Sequence, residues 1–146
     1  LKEKPVLDSL SNGALVLSVI LIGYSYGAPV SSIPLTVYIA SFAVSAIHAL
    51  GAIMDYSADK KAGTMTTATF FGKRLAAALA LALVLVIIIF SGIKSLSLRM
   101  FFWYAAVAFG ILVVKDDERL AKRLFSLGFL IALASIGIFV YQQFYK

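Results

Sequence analysis

Residues 9–54 read SLSNGALVLSVILIGYSYGAPVSSIPLTVYIASFAVSAIHALGAIM, 46 positions without a lysine, arginine, aspartate or glutamate. A bilayer crossing takes about 20 apolar residues, so this stretch holds two crossings and the turn between them. Gly27, Pro29 and Pro34, with Ser31 and Ser32 among them, mark that turn, because glycine and proline punctuate regular structure. Further uncharged runs cover 75–93, 100–114 and 124–145. The third, 100–114, is short for a crossing, but Arg99 and Lys115 at its ends have stems that reach toward the headgroups. The expected fold class is an all-α integral membrane protein of about five transmembrane helices, near 9–28, 33–59, 75–93, 100–114 and 124–145.

Composition agrees. Of 146 residues, 62% are hydrophobic and 14% charged, with a mean hydropathy of +0.98. Soluble domains run near half apolar and about a quarter charged. With no cysteine, a disulfide framework and a thiolate metal site are excluded. No repeat or low-complexity linker divides the chain, which reads as a single polytopic membrane domain over 1–146. A net charge of +6 in a soluble protein would suggest nucleic acid. Here it is assigned to membrane topology and lipid headgroups, with no nucleic-acid partner expected. Ten of the 13 basic residues fall on the side shared by the amino terminus, 55–74 and 115–123. That bias places those segments in the cytoplasm. Tyr24, Tyr26, Trp103, Tyr104, Tyr141 and Tyr145 are expected at helix ends on the opposite side, as an interfacial aromatic belt. The opening LKEKPVLD has no initiating Met and no cleavage pattern, and reads like a chain entered midway at a cytoplasmic loop.

Chemistry concentrates in Asp55-Tyr-Ser-Ala-Asp59-Lys60-Lys61-Ala-Gly63-Thr64-Met-Thr66-Thr67. Four residues apart on a continuing helix, Asp55 and Asp59 share one face. Paired carboxylates suit a hard cation such as Mg2+, which binds through one or two of them and completes its shell with water and substrate phosphate. Lys60 and Lys61 are placed to balance phosphate charge, and Gly63 permits a sharp turn. Upstream, at about 100° per residue, His48, Ser41, Ala52 and Ser45 fall within roughly 80° of Asp55. Phe42, Ala46, Ala49, Leu50 and Ile53 take the far side. Polar groups at membrane depth face a bundle interior or a cavity, so the stripe describes a pocket lined by His48 and Ser45 with carboxylates at its mouth. The competing readings are a solvated loop for the acidic pair and a hydrogen-bonded packing residue for His48.

These residues resemble the UbiA-type intramembrane prenyltransferases. The second acidic motif of that family is a DxxxD at a helix end, then a basic residue, Ala-Gly, a Thr-rich stretch and Leu-Gly-Lys/Arg-Arg. This chain has Asp55-x-x-x-Asp59-Lys60-Lys61-Ala62-Gly63-x-x-Thr66-Thr67 and Phe71-Gly72-Lys73-Arg74, with Phe71 in the Leu position. Lys4-Pro5-Val6-Leu7-Asp8-Ser9 and Ile47-His48-Ala49-Leu50-Gly51-Ala52-Ile53 look most like the carotenoid-elongating, lycopene elongase-like branch, with Met54 where that branch commonly has Pro. The resemblance implies nine helices around a cavity, of which this chain resembles the carboxy-terminal part. It also implies Mg2+-dependent transfer of a prenyl group from a prenyl diphosphate to an apolar acceptor, with Asp55 and Asp59 as catalytic metal ligands and Lys60, Lys61 and Lys4 (or Lys2) meeting the diphosphate. The first motif of the family, NxxxDxxxD, has no counterpart: Asn12 is followed by no acidic residue until Asp55. The expectation is therefore a fragment, inactive by itself, whose partners are the missing amino-terminal helices.

Two rivals share features. Gly51, Asp55 and Asp59 satisfy the GxxxDxxxD end of a CDP-alcohol phosphatidyltransferase signature, but its upstream acidic half is absent. A non-enzymatic transporter or scaffold segment accounts for the helices alone. Asp116-Asp117-Glu118 among Lys115, Arg119, Lys122 and Arg123 reads as a solvated loop, its cations setting topology and touching anionic lipid. Gly92, Gly110, Gly128 and Gly137 read as packing positions.

Overall fold

The computed structural model describes residues 5–144, which contain helices and no strand. In order they are α1 (Pro5–Ser25), a 3₁₀ turn (Val30–Ser32), α2 (Leu35–Ser41), α3 (Ala43–Met54), α4 (Tyr56–Ala62), α5 (Thr67–Phe71), α6 (Lys73–Phe90), α7 (Leu96–Val114) and α8 (Glu118–Phe144). Val37–Met54, Lys73–Phe90, Leu96–Val114 and Glu118–Gln142 are each long and apolar enough to cross a membrane, and Ser9–Ser25 adds a shorter apolar helix. The protein is an all-α membrane protein with about five spans.

The expected single helix over 33–59 is interrupted twice. At Phe42 the bonding tightens by one residue: the Phe42 N–H donates to Ile39 O (3.3 Å), and the Ser45 N–H to Phe42 O (3.0 Å). Here α1 comes close. A Cβ on Gly13 would lie 2.8 Å from Phe42 Cδ1 and 3.2 Å from Phe42 Cα, so only glycine admits this approach. The second interruption, at Asp55 (φ −105°, ψ 10°), is milder. The Asp55 N–H still donates to Gly51 O (3.1 Å) and the Asp59 N–H to Asp55 O (2.8 Å), so the chain bends while keeping its ladder.

The two carboxy-terminal helices start earlier than the uncharged runs 100–114 and 124–145. Residues 96–99 belong to α7, which reaches 19 residues and removes the difficulty of a short span. Tyr104 is consequently mid-helix rather than at an interface, and its hydroxyl donates to Leu124 O across to α8 (2.6 Å). For this residue the packing replaces the belt expectation; Tyr145 lies outside the described residues. Asp117 starts α8 by accepting from the Arg119 (2.7 Å) and Leu120 (3.2 Å) N–H groups, which a helix start otherwise leaves without partners.

Packing centres on α3, which touches α1, α6 and α8, while α7 packs between α6 and α8. Interfaces are rich in alanine: Ala46, Ala49, Ala52, Ala76, Ala77 and Ala80 are all buried. Lipid is as apolar as a leucine side chain, so membrane helices associate through close packing, which small residues permit. Ile53, Val84, Ile87 and Leu112 fill the remaining interior. Of the glycines expected to pack, Gly128 does so: a Cβ there would meet Tyr104 Cε1 at 2.9 Å. Gly110 and Gly137 face open space, and Gly92 (φ 60°) turns the chain after α6.

Candidate functional site

The bend at Asp55 and the turn at Gly63 together build a cavity of about 300 Å³, lined by His48, Gly51, Ala52, Asp55, Asp59, Thr64, Met65 and Thr66. Gly63 ends α4 in the left-handed conformation (φ 69°) that glycine adopts without steric penalty. The Thr64 N–H then donates back to Asp59 O (2.9 Å), folding Thr64–Thr66 over the acidic pair. A reciprocal cap holds that strap. Thr66 N–H donates to Thr69 Oγ1 (2.7 Å), and Thr69 N–H donates to Thr66 Oγ1 (3.2 Å). Asp55 is exposed at the mouth and Asp59 half-buried.

His48 lines the deep end of this cavity while its Nδ1 lies 3.2 Å from Ser9 Oγ. Ser9 Oγ is also 2.8 Å from Thr67 Oγ1, so a polar chain joins α1, α3 and α5. His48 is thus both a packing residue and a cavity wall. Sequence reasoning missed Ser9 and Thr67, because the two lie 58 positions apart and nothing local marks them.

Other expected site residues are placed elsewhere. Ser45 is turned away from the acidic cavity. It is buried against α1, where a Cβ on Gly13 would lie 2.6 Å from its Oγ. Lys60 is exposed, with its Nζ 5.6 Å from the Tyr56 ring centroid. Lys61 is exposed on α4, outside the cavity lining. Lys4 and Lys2 lie outside the described residues.

A clasp, unexpected from sequence, ties α4 to the start of α8. Lys73 Nζ, at the first residue of α6, is 3.1 Å from Asp116 Oδ1 and 3.4 Å from Glu118 Oε1. It also lies 5.0 Å from the Tyr56 ring centroid. The Ser57 hydroxyl, between the two aspartates of the cavity, donates to the same Glu118 Oε1 (2.7 Å). Asp116–Glu118 stays a solvent-facing segment, as expected, with Asp116 and Asp117 exposed, but its carboxylates are engaged: two meet Lys73 and the third caps α8. Backbone donors from Leu120 and Arg119 hold the Asp117 carboxyl below the usual carboxylate range.

Among the described residues, no three His, Asp or Glu side chains converge on one metal position. The cavity does offer two carboxylates, Asp55 and Asp59, a partial set for a magnesium ion that shares its shell with water and phosphate. On the neighbouring face of α3 a second cavity, about 320 Å³ and almost wholly apolar, runs between Ile47, Leu50, Phe109, Leu124, Phe125 and Phe129.

Fold and site together define a multi-pass α-helical membrane protein with an acidic, partly buried cavity at one end. Comparison with protein-family models, curated proteins and solved structures gives no match.

Proposed function

We propose that this chain carries the second acidic segment of a UbiA-type intramembrane prenyltransferase, acting in magnesium-dependent transfer of a prenyl group from a prenyl diphosphate to an apolar acceptor. The observation that supports the reading is the arrangement of Asp55 and Asp59 on one cavity wall, with His48 deeper along α3 and an apolar cavity on the adjacent face. A prenyl diphosphate has the same division into a charged head and an apolar body.

Asp55 and Asp59 would hold magnesium, which when bound withdraws charge from the diphosphate leaving group. The remaining tasks belong to the chain. The bend at Asp55 keeps both carboxylates on one cavity, and the Gly63 turn brings Thr64, Met65 and Thr66 to its wall. Lys60 and Lys61, exposed on α4 and outside the cavity lining, would act on a diphosphate through the positive field they add near this end of the chain. The alanine-packed helices and the apolar cavity exclude water from the allylic carbon, protecting an electron-poor centre until an acceptor attacks it. Acidic ligands opposite Asp55 and Asp59 come, in this reading, from helices beyond these five spans. The excess of basic residues assigns the acidic end to the cytoplasmic side.

One rival, a transporter or scaffold segment, accounts for the apolar helices alone. Binding of a prenyl diphosphate to the chain in vesicles separates the two. The enzyme reading expects magnesium-dependent binding, lost in Asp55→Asn and in Asp59→Asn with membrane insertion unchanged. Binding that ignores magnesium and both substitutions would remove the metal-ligand role, and diphosphate-independent flux of a solute would establish the rival.

A further inference from the structure

At the opposite end of the bundle, the turn between α6 and α7 forms a pocket of about 170 Å³ lined by Ile88, Ile89, Ser91, Gly92, Ile93, Arg99, Phe102 and Trp103. The 18 residues of α6 separate it from the acidic cavity by about 27 Å at 1.5 Å per residue. Arg99 is its sole charged wall residue. The ionic and hydrogen-bonding partners in the described structure leave the Arg99 guanidinium unmatched: Lys73 takes Asp116 and Glu118, while Asp55, Asp59 and Asp117 stand at the acidic end. Lys94, exposed on the same turn, adds a second cation there.

Two cations at an interface with no carboxylate among the described residues of their own end draw an anion from outside the chain. A guanidinium's planar fork matches the paired oxygens of a phosphate. The rest of the lining selects among anions. Ile88, Ile89, Ile93, Phe102 and Trp103 are apolar, and Ile89 (68%) and Trp103 (52%) are substantially exposed on the lipid-facing surface. A tryptophan one turn from Arg99 has the amphipathic ring that settles at headgroup level. The ligand needs an anionic phosphate at the turn and hydrocarbon running down α6 and α7.

We propose that this pocket binds the headgroup phosphodiester of an anionic phospholipid, with Arg99 on the phosphate and Ile89 and Trp103 against the first acyl carbons. Free phosphate shares the guanidinium chemistry but leaves the apolar walls uncovered. The site is independent of the acidic cavity and of any activity there.

The test is native mass spectrometry of the full chain, released from bilayers of equal parts phosphatidylcholine and phosphatidylglycerol. Wild type is expected to retain phosphatidylglycerol in preference to phosphatidylcholine, with retention falling as sodium chloride rises. Arg99→Gln is expected to lower that retention roughly tenfold, the loss of one charge-assisted fork. Arg99→Lys should keep part of it, and Lys94→Gln, outside the lining, most of it. Equal retention of the two lipids by wild type, undiminished retention by Arg99→Gln, or a larger loss from Lys94→Gln overturns the assignment. Displacement of the lipid by inorganic phosphate would show a soluble-anion site and overturn the amphiphile reading. The wild-type comparison and its salt dependence stand whether or not any variant folds.

Discussion

Replacing Gly128 by alanine tests how α7 and α8 are held together. The added methyl would sit 2.9 Å from Tyr104 Cε1 and 3.7 Å from Cδ1, where carbon atoms rest at about 3.5–4.0 Å. The ring has little freedom to yield, because its hydroxyl is anchored 2.6 Å from Leu124 O. Gly128 is four residues beyond Leu124 on α8, so its missing side chain leaves that carbonyl open to Tyr104. Swinging the ring aside loses a cross-helix hydrogen bond, worth about 0.6 kcal/mol and at most about 1.7 in membranes. Overpacking adds about 1–3 kcal/mol. Alanine recovers about 1 kcal/mol of helix propensity over glycine. The balance for Gly128→Ala is a destabilisation of about 1–2 kcal/mol, and for Tyr104→Phe of about 0.6 kcal/mol.

The two changes should not add. Once the methyl has displaced the ring, the hydrogen bond is already lost, so Tyr104→Phe/Gly128→Ala should match Gly128→Ala alone. Tyr104→Ala/Gly128→Ala, with the ring gone, should be more stable than Tyr104→Ala. Reversible unfolding in mixed micelles, followed by helical circular dichroism, gives the four values of the cycle. A Gly128→Ala protein as stable as wild type, or additive losses for Tyr104→Phe and Gly128→Ala, would refute the close-approach argument.

Three further outcomes are expected. Lys73→Met should loosen the clasp by about 1 kcal/mol, the sum of partly exposed pairs worth about 0.2–1 kcal/mol each. It should raise amide exchange in α4 and the first turn of α8 while leaving α6 protected, and Lys73→Arg should restore most of the protection. Because the Asp117 carboxyl is held below its usual range, its cap should be fully formed above the ordinary carboxylate pKa and be lost as pH falls through the depressed folded value. Amide exchange at Arg119 and Leu120 should rise on acidification in wild type and be pH-insensitive, after correction for intrinsic exchange, in Asp117→Asn. Gly13→Ala should cost about 1–3 kcal/mol by pushing α1 off Phe42. The same displacement should move Ser9 from His48, read as a changed His48 ring resonance; an unchanged resonance and stability would count against the contact.

The acidic pair shows how far local pattern reaches. Spacing of four put Asp55 and Asp59 on one face, and the bend between α3 and α4 preserves that relation because the Asp59 N–H still bonds Asp55 O. Gly63 was legible as a turn for an equally local reason. His48 was legible as a cavity wall, whereas its link to Ser9, 39 positions away, was not. Ser45 was misplaced because it stands at the edge of the stripe, about 80° around α3 from Asp55, and α1 covers that edge at Gly13. Tyr104 was misread because charged Arg99 suggested a helix start, while a residue one turn inside a helix can carry its charge out to the interface.

Number and approximate position of the membrane spans follow from sequence by itself, because removing a charge from water costs far more than any local preference and uncharged runs are counted along one dimension. The acidic segment and its turn follow too, since they depend on residues four or five apart. The strap of Thr64–Thr66 over Asp59, the Ser9–Thr67 hydrogen bond, the Lys73 clasp and the Tyr104–Gly128 notch were decided by tertiary structure. The clasp, the Ser9 link and the notch pair groups 24 to 61 positions apart, and their register depends on how closely neighbouring helices approach. That approach is set by alanine and glycine at particular turns, and it exists only once the helices are packed.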